Sequence, residues 1–173
     1  AKMLEEISEA QKVEKIILGG VGFFTENFEK YLEKFQKLKK KIFFVKISSS
    51  GKPGINEIIK RGEVDKIVKG SRVQEETHLI EKFFAEVSKS SQFVVYGSED
   101  VRRAVEFGAV DTLLVSDYAI TQRKEAGTFE EFGSLMADAE KSGAKVMIIS
   151  EEHESGERFS KIEIAALLRF PIG

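Results

Sequence analysis

Apolar residues along this chain keep two spacings, short unbroken runs and helical stripes, and glycine separates them. Residues 1–10 are helix-forming, and residues 15–20 form a brief apolar run closed by Gly19 and Gly20, which predicts a buried strand. Beyond Gly22, the positions of Phe28, Tyr31, Leu32, Phe35 and Leu38 make one stripe of a 3.6-residue period and predict a single helix. Residues 42–47 read as a second strand. The order helix, strand, helix, strand predicts a mostly parallel sheet with right-handed crossovers. Residues 48–54, rich in Ser, Gly and Pro, read as a loop, and residues 55–69 as two short helical pieces broken at Gly62. Gly70 then reads as a stop, followed by a Ser71-x-x-Gln74 capping box that starts a helix bearing Leu79, Ile80, Phe83, Phe84 and Val87. The expected boundary lies at Gly70, giving modules 1–70 and 71–173.

The second module repeats the alternation. Residues 93–96 predict a strand, and Ser98 an N-cap for a helix with Val101, Ala104 and Val105 inward and Gly108 at its end. Residues 111–116 predict another strand, and residues 117–127 a polar connection. A Thr128-x-x-Glu131 box opens a helix carrying Phe132, Leu135, Met136 and Ala139, and Gly143 ends it. A strand at 145–149, a polar loop at 151–157 and a last strand at 162–170 complete the pattern. The expectation is α/β throughout, with about four strands and three to four helices sandwiched in the second module.

Composition narrows the function classes. No cysteine is present among the 173 residues, which excludes a disulfide framework, a zinc ribbon, an iron-sulfur site and a thiol nucleophile, and two histidines exclude a histidine-rich metal centre. No apolar run approaches the ~18 residues of a membrane span and no basic-then-apolar leader opens the chain, so a cytoplasmic protein without membrane contact is expected. Charged residues reach 32%, mostly Lys and Glu, a bias of hyperthermophile proteins. The net charge of -2 hides an asymmetry: residues 1–70 carry 15 basic and 10 acidic side chains, the remainder 12 and 19. Opposite signs predict different partners for the two modules. The start at Ala1, inside helix-forming sequence and without an initiator Met, is what a fragment or a processed chain shows.

Candidate sites follow. A strand-to-helix glycine turn presents backbone N–H groups to phosphate, but Gly20-x-Gly22-x-x-Thr25 has threonine at the third glycine position, and no Walker lysine follows. A stand-alone nucleotide-binding or hydrolytic α/β protein using Gly19 to Gly22 is therefore the alternative reading. The turn more simply displays Val21, Gly22, Phe23 and Phe24, and two adjacent aromatics cannot both enter a core there, so one is expected at a partner interface. Lys37, Lys39, Lys40 and Lys41 close the first helical stripe. With Lys46 and Lys52 they read either as solvated charge near a helix C-terminus or as an RNA phosphate-contacting patch. His153, among Glu151, Glu152 and Glu154, lacks metal-ligand spacing, and His78 reads as a surface residue. No Gly-x-Ser-x-Gly elbow exists, so no catalytic residue and no metal ligand is assigned.

Six segments in order resemble the archaeal Pelota family, the mRNA-surveillance and ribosome-rescue relatives of class-1 release factors: Ile16-Ile-Leu-Gly-Gly-Val-Gly-Phe-Phe, Ser49-Ser-Gly-Lys-Pro-Gly-Ile-Asn-Glu-Ile58, Glu75-Glu-Thr-His-Leu-Ile-Glu-Lys-Phe83, Val95-Tyr-Gly97, Ala104 through Asp117, and Ile164-Ala-Ala-Leu-Leu-Arg-Phe170. The resemblance covers essentially the whole chain and only that family's central and C-terminal domains. It implies a truncated central domain followed by an α/β/α sandwich similar to kink-turn-binding ribosomal proteins. It also implies an Sm-like domain and the central domain's opening strands before Ala1. The implied role is recognition of stalled ribosomes with a translational GTPase, elongation factor 1-alpha in archaea, then subunit dissociation with an ABC-type ATPase in no-go and non-stop decay. A peptide-release factor fragment is the second alternative, disfavoured because Gly-Gly-Gln, which release factors use, occurs nowhere. The endoribonuclease activity attributed to the family, with any divalent metal for it, belongs by this resemblance to the N-terminal domain, so no cofactor is expected here. The family's Pro-Gly-Phe GTPase contact maps onto Val21, Gly22 and Phe23, with valine for proline. The family's Gly-Gly-Ile-Ala-Ala is replaced by Ile162, Glu163, Ile164, Ala165 and Ala166, which implies an altered glycine-dependent turn.

Overall fold

The computed structural model describes residues 1–172, which divide into two compact units, Ala1–Ser71 and the part from Arg72 onward. In the first unit, helix α1 (Lys2–Ala10) precedes β1 (Ile16–Gly20), then α2 (Phe24–Tyr31), a 3-10 turn at Leu32–Lys34, α3 (Gln36–Lys39), β2 (Ile42–Lys46) and α4 (Lys52–Lys60). β1 and β2 pair in parallel, Ile16 opposite Ile42 and Gly20 opposite Lys46. Leu32, Leu38 and Ile42 are buried, with Leu4, Ile16, Leu18, Phe28, Phe35 and Phe44 packed against them.

The single helix expected over the Phe28 to Leu38 stripe is three pieces. The stripe still marks the core face except at Tyr31, which is 51% exposed, but Phe35 leaves helical dihedrals (φ -127, ψ 62) and the Gln36 side chain donates to the Glu33 carbonyl at 2.9 Å, taking an acceptor that a continued helix would use. The expected stop at Gly70 is also absent. Helix α5 runs unbroken over Glu63–Ser88. Glycine costs a helix interior only about 1 kcal/mol, and here acidic residues in the first turn and the Arg72–Glu76 pair at i,i+4 support the helix around it. Ser71 and Gln74 therefore lie mid-helix and form no cap. The true stop is Ser90, at φ +51, where the Ser90 and Ser91 N–H groups return to the carbonyls of Val87 and Glu86.

The second unit adds β3 (Val94–Tyr96), α6 (Ser98–Glu106), β4 (Val110–Ser116), α7 (Asp117–Glu125), α8 (Phe129–Lys141), β5 (Lys145–Ile149), α9 (Glu154–Ser160) and β6 (Ile164–Leu168). The strand order is β3-β6-β4-β5; β4 pairs β5 in parallel, and β6 runs antiparallel to both of its neighbours. Every residue of β6 is buried. Alternation explains why: Ile164, Ala166 and Leu168 face one core with Val101, Phe132 and Leu135, while Ala165 and Leu167 face another with Ile80, Phe83 and Phe159. Helices cover both faces, α6 and α8 on one side and α5 and α9 on the other, which makes this unit an α/β/α sandwich.

Two stretches expected to be irregular are helical. Residues 117–125 look polar, yet Ser116 accepts from the Ala119 N–H at 3.4 Å as N-cap, and Ala119 is buried. Glu154–Ser160 forms around buried Phe159 and begins at an uncommon capping residue, His153, whose Nδ1 accepts from the Gly156 N–H at 3.2 Å. Gly156 is obligatory, since a Cβ there would lie 1.8 Å from the Ser150 carbonyl oxygen. Ser98 is the first residue of α6 rather than its cap, that place being held by Gly97, and Thr128 occupies the N-cap of α8 without bonding from its side chain.

Candidate partner and RNA surfaces

The strand-to-helix turn of the first unit displays an apolar surface. β1 ends at Gly20 beneath α2, where a Cβ would lie 2.7 Å from Phe24 Cδ1 and Thr25 Cγ2, and Gly22 turns the chain at φ +62. Both aromatics of the turn face out: Phe23 is 76% exposed, Phe24 51% and Val21 46%. One exposed ring was expected from the sequence; two occur because α2 buries Thr25 rather than either phenylalanine. From Phe24 a ladder of rings runs through Phe28 and Tyr31 to Phe35, with centroids 5.7, 6.1 and 5.7 Å apart.

The six lysines separate into two groups. Lys39 is ion-paired to Glu33, and Lys46 to Glu26 at 2.8 Å. Lys41 is half-buried and donates to Ser8 Oγ (3.0 Å) and the Val13 carbonyl (2.9 Å), tying β2's entry to α1. Of these three, Lys41 is bonded inward, while Lys39 and Lys46 hold surface ion pairs. Lys37, Lys40 and Lys52 are exposed and have no ion-pair partner among the described residues. The loop before α4 is anchored: Glu57 accepts from the Ser48 N–H (2.8 Å) and Ser48 Oγ (3.1 Å), and the Ser48 N–H, ahead of the other bonds, holds its carboxyl below the ordinary value.

The second unit contains a polar cluster that sequence reasoning missed. Glu76, on α5, is fully buried, and its carboxylate accepts from Arg72 Nε (2.6 Å), the Ser150 N–H (2.8 Å) and His153 Nε2 (3.0 Å). Because His153 Nδ1 accepts from Gly156, its proton belongs on Nε2, facing Glu76. Burial pushes the Glu76 carboxyl up, but the bonds from His153, Ser150 and Arg72 outweigh it and leave the pKa below the ordinary 4.5. The cluster pins α5 to the β5–α9 connection. Arg72 also reaches the Ile148 carbonyl (3.3 Å), and Lys145 pairs with Glu75, so α5 places charge along the open edge of β5. His78 is exposed, and no group of three or more His, Cys, Asp or Glu among the described residues is arranged to hold a metal ion. No helix among them is long and apolar enough to cross a membrane.

Glu163 sits at φ +67, in the region that favours glycine. A non-glycine residue thus holds a left-handed backbone here. A three-residue turn surrounds it, Ile164 N–H to Ile162 carbonyl at 2.8 Å, and its carboxylate is held by Arg123 Nη2 at 2.8 Å. Arg123 in turn lies 4.3 Å over the Phe132 ring.

Comparison with known proteins places both units in one family. Residues 1–70 match the family model for eRF1 domain 2, and residues 73–172 that for eRF1 domain 3. The pelota homologue of Thermococcus onnurineus is 41% identical over 99% of this chain and 48% of its own length, so the chain spans about half the length of the curated relatives it matches. Among solved structures, a model of ribosome-bound archaeal Pelota and ABCE1 is 38% identical with a TM-score of 0.78, over 99% of this chain and 48% of that one. Dom34 of S. cerevisiae, a translation termination-like factor involved in RNA quality control and interacting with Hbs1, is 26% identical with a TM-score of 0.67, over 99% and 53%. With two of that family's domains matched end to end and in order, the chain belongs to the eRF1 domain 2 and domain 3 family, in its Pelota group.

Proposed function

We propose that this chain supplies the two partner-engaging modules of a ribosome-rescue factor, which recognises stalled ribosomes together with a translational GTPase and promotes subunit dissociation with an ABC-type ATPase. The observation that carries this reading is the whole-chain match, in order, to Pelota relatives. Support for the ribosome and an ABC-type partner comes from the ribosome-bound Pelota with ABCE1, and for a further protein partner from Dom34, which interacts with Hbs1. The absence of Gly-Gly-Gln from the sequence favours rescue over peptide release. Elongation factor 1-alpha is the GTPase we assign. Exposed Phe23 would be its anchor, since large aromatics dominate binding energy once desolvated. Lys37, Lys40 and Lys52 would meet rRNA phosphates. A cytoplasmic setting follows from that role.

Calorimetry of the chain with archaeal elongation factor 1-alpha bound to a non-hydrolysable GTP analogue tests the docking, and co-sedimentation with archaeal ribosomal subunits tests the ribosome reading. Saturable binding in both is expected. Loss of both at high micromolar protein, with the fold intact by circular dichroism, would refute the proposal.

A further inference from the structure

We propose that the groove between α6 and α8 in the second unit binds a ribonucleotide through its phosphate and its sugar hydroxyls. Two adjoining cavities form it, about 180 and 300 Å³, sharing Arg102 and Leu135. The larger matches the lower end of the ~300–1,000 Å³ typical of small-ligand sites.

The two ends differ in chemistry. The first cavity is lined by Arg102, Arg123, Ser98 and Thr128, two guanidinium groups and two hydroxyls suited to a phosphate, with the Glu131 carboxylate also on its wall. Arg102 is half exposed, and its partner Glu131, 3.9 Å away and 87% exposed, is free to swing aside. Arg123 is already oriented by Glu163 and by the Phe132 ring, which lowers the entropy lost on binding. Ser98 and Thr128 also mark the starts of α6 and α8, neither closed by a side-chain hydrogen bond, so the helix dipoles add positive potential to what the arginines supply. The second cavity adds Glu106, Ser134 and Asp138 to the shared Arg102; Asp138 is already paired to Lys141 at 2.8 Å, which leaves Glu106 as its free carboxylate. The Glu106 carboxylate repels a second phosphate but accepts from sugar hydroxyls, as an acidic residue does toward ribose in dinucleotide sites. An anion-accepting end beside a donor-accepting end fits a nucleotide with a 2′-hydroxyl better than a bare anion. This site is independent of the GTPase and ribosome assignments, and it places nucleotide binding on the module whose net charge is negative.

The test is a nitrogen-15 NMR titration of the whole chain with three probes: 5′-UMP, 5′-dUMP and single-stranded hexauridylate. UMP should produce saturable shifts confined to amides of α6 and of the start of α8, and Arg102→Gln should weaken binding about tenfold. Arg102 is exposed, so the variant folds; Thr128→Ala provides a second probe of the same end. Tighter binding of hexauridylate than of UMP assigns the nucleotide to an RNA strand, and equal affinity assigns it to a free nucleotide. Absence of saturable shifts with both UMP and hexauridylate, or shifts unchanged in Arg102→Gln, overturns the site. Equal affinity for UMP and dUMP overturns the ribose end.

Discussion

Replacing Glu76 tests whether the buried cluster on α5 holds the second unit together. In Glu76→Gln the amide oxygen keeps the Ser150 N–H and His153 Nε2–H, and the new NH2 faces Arg72, whose guanidinium is 56% exposed and turns to water. The charge-assisted Arg72 bond, about 1.5–3 kcal/mol, is lost, and the other two fall from charged to neutral strength, roughly 1 kcal/mol each. A carboxylate no longer has to be desolvated, which returns part of this, so the expected loss is about 2–3 kcal/mol. Glu76→Met leaves the Ser150 and His153 donors without any acceptor and should cost more, about 3–5 kcal/mol. At roughly 4 °C per kcal/mol for a unit of this size, the melting temperature of the second unit falls by roughly 8–12 °C in Glu76→Gln. Urea unfolding and exchange of the Ser150 and Gly156 amides read the effect globally and locally. The pH dependence has a definite sign. A folded pKa below the ordinary 4.5 gives stability that is complete above that value and is lost as pH falls through the folded pKa. Both variants should therefore flatten the acid limb. A Met variant within about 0.5 kcal/mol of wild type, its acid limb unchanged, would refute the reasoning.

The other predictions concern single features. Glu163→Ala keeps a non-glycine residue at φ +67 and loses the Arg123 pair, whereas Glu163→Gly relieves the strain; by chemical denaturation the Gly variant should be about 1 kcal/mol more stable than the Ala variant, and equality would remove the strain argument. Removing Lys37, Lys40 and Lys52 together should lower the log–log salt dependence of ribosome binding by roughly 0.7–0.9 for each phosphate no longer neutralised; an unchanged slope would show that these lysines do not face RNA. Phe23→Ala should leave the melting curve within about 0.5 kcal/mol of wild type yet weaken GTPase binding by about 1–2 kcal/mol, and unchanged affinity in calorimetry would remove Phe23 as an anchor.

Periodicity exposed the core of this protein more completely than its element ends. Leu32, Leu38, Phe83, Val101, Phe132 and Leu135 each lie inward by spacing alone, and all are buried. Punctuation was less dependable because the residues read as signals have more than one use. Gly70 costs a helix little when charged neighbours support it, so a glycine read as a stop lies inside α5. The two positions that do stop or start helices against expectation, Ser90 at φ +51 and His153 at the head of α9, are residues that turn statistics do not favour there. Helices α7 and α9 stayed hidden because short helices on a sheet bury only one or two side chains, too few to show a period.

Of the candidate surface residues, the sequence showed which are exposed only where a local conflict made exposure necessary. Two adjacent phenylalanines after a glycine turn cannot be accommodated locally, and that conflict is visible in a linear sequence. Glu76 gave no such signal in the sequence, where a glutamate four residues after Arg72 looks like any other helical charge pair. The structure shows that the arginine is the exposed half and that the carboxylate is buried against a backbone N–H and an imidazole 74 and 77 residues away. Lys41 is the same case in the first unit, one of four clustered lysines yet bonded inward to Ser8 and Val13. A charge's role depends on what lies opposite it, and that is set by long-range pairing that spacing does not encode. Of the six candidate lysines of the basic first module, Lys41 is bonded inward and Lys39 and Lys46 are paired with carboxylates at the surface, which leaves Lys37, Lys40 and Lys52 without an ion-pair partner among the described residues. The acidic second module, through Arg102 and Arg123, has more capacity for a phosphate than its net charge implies.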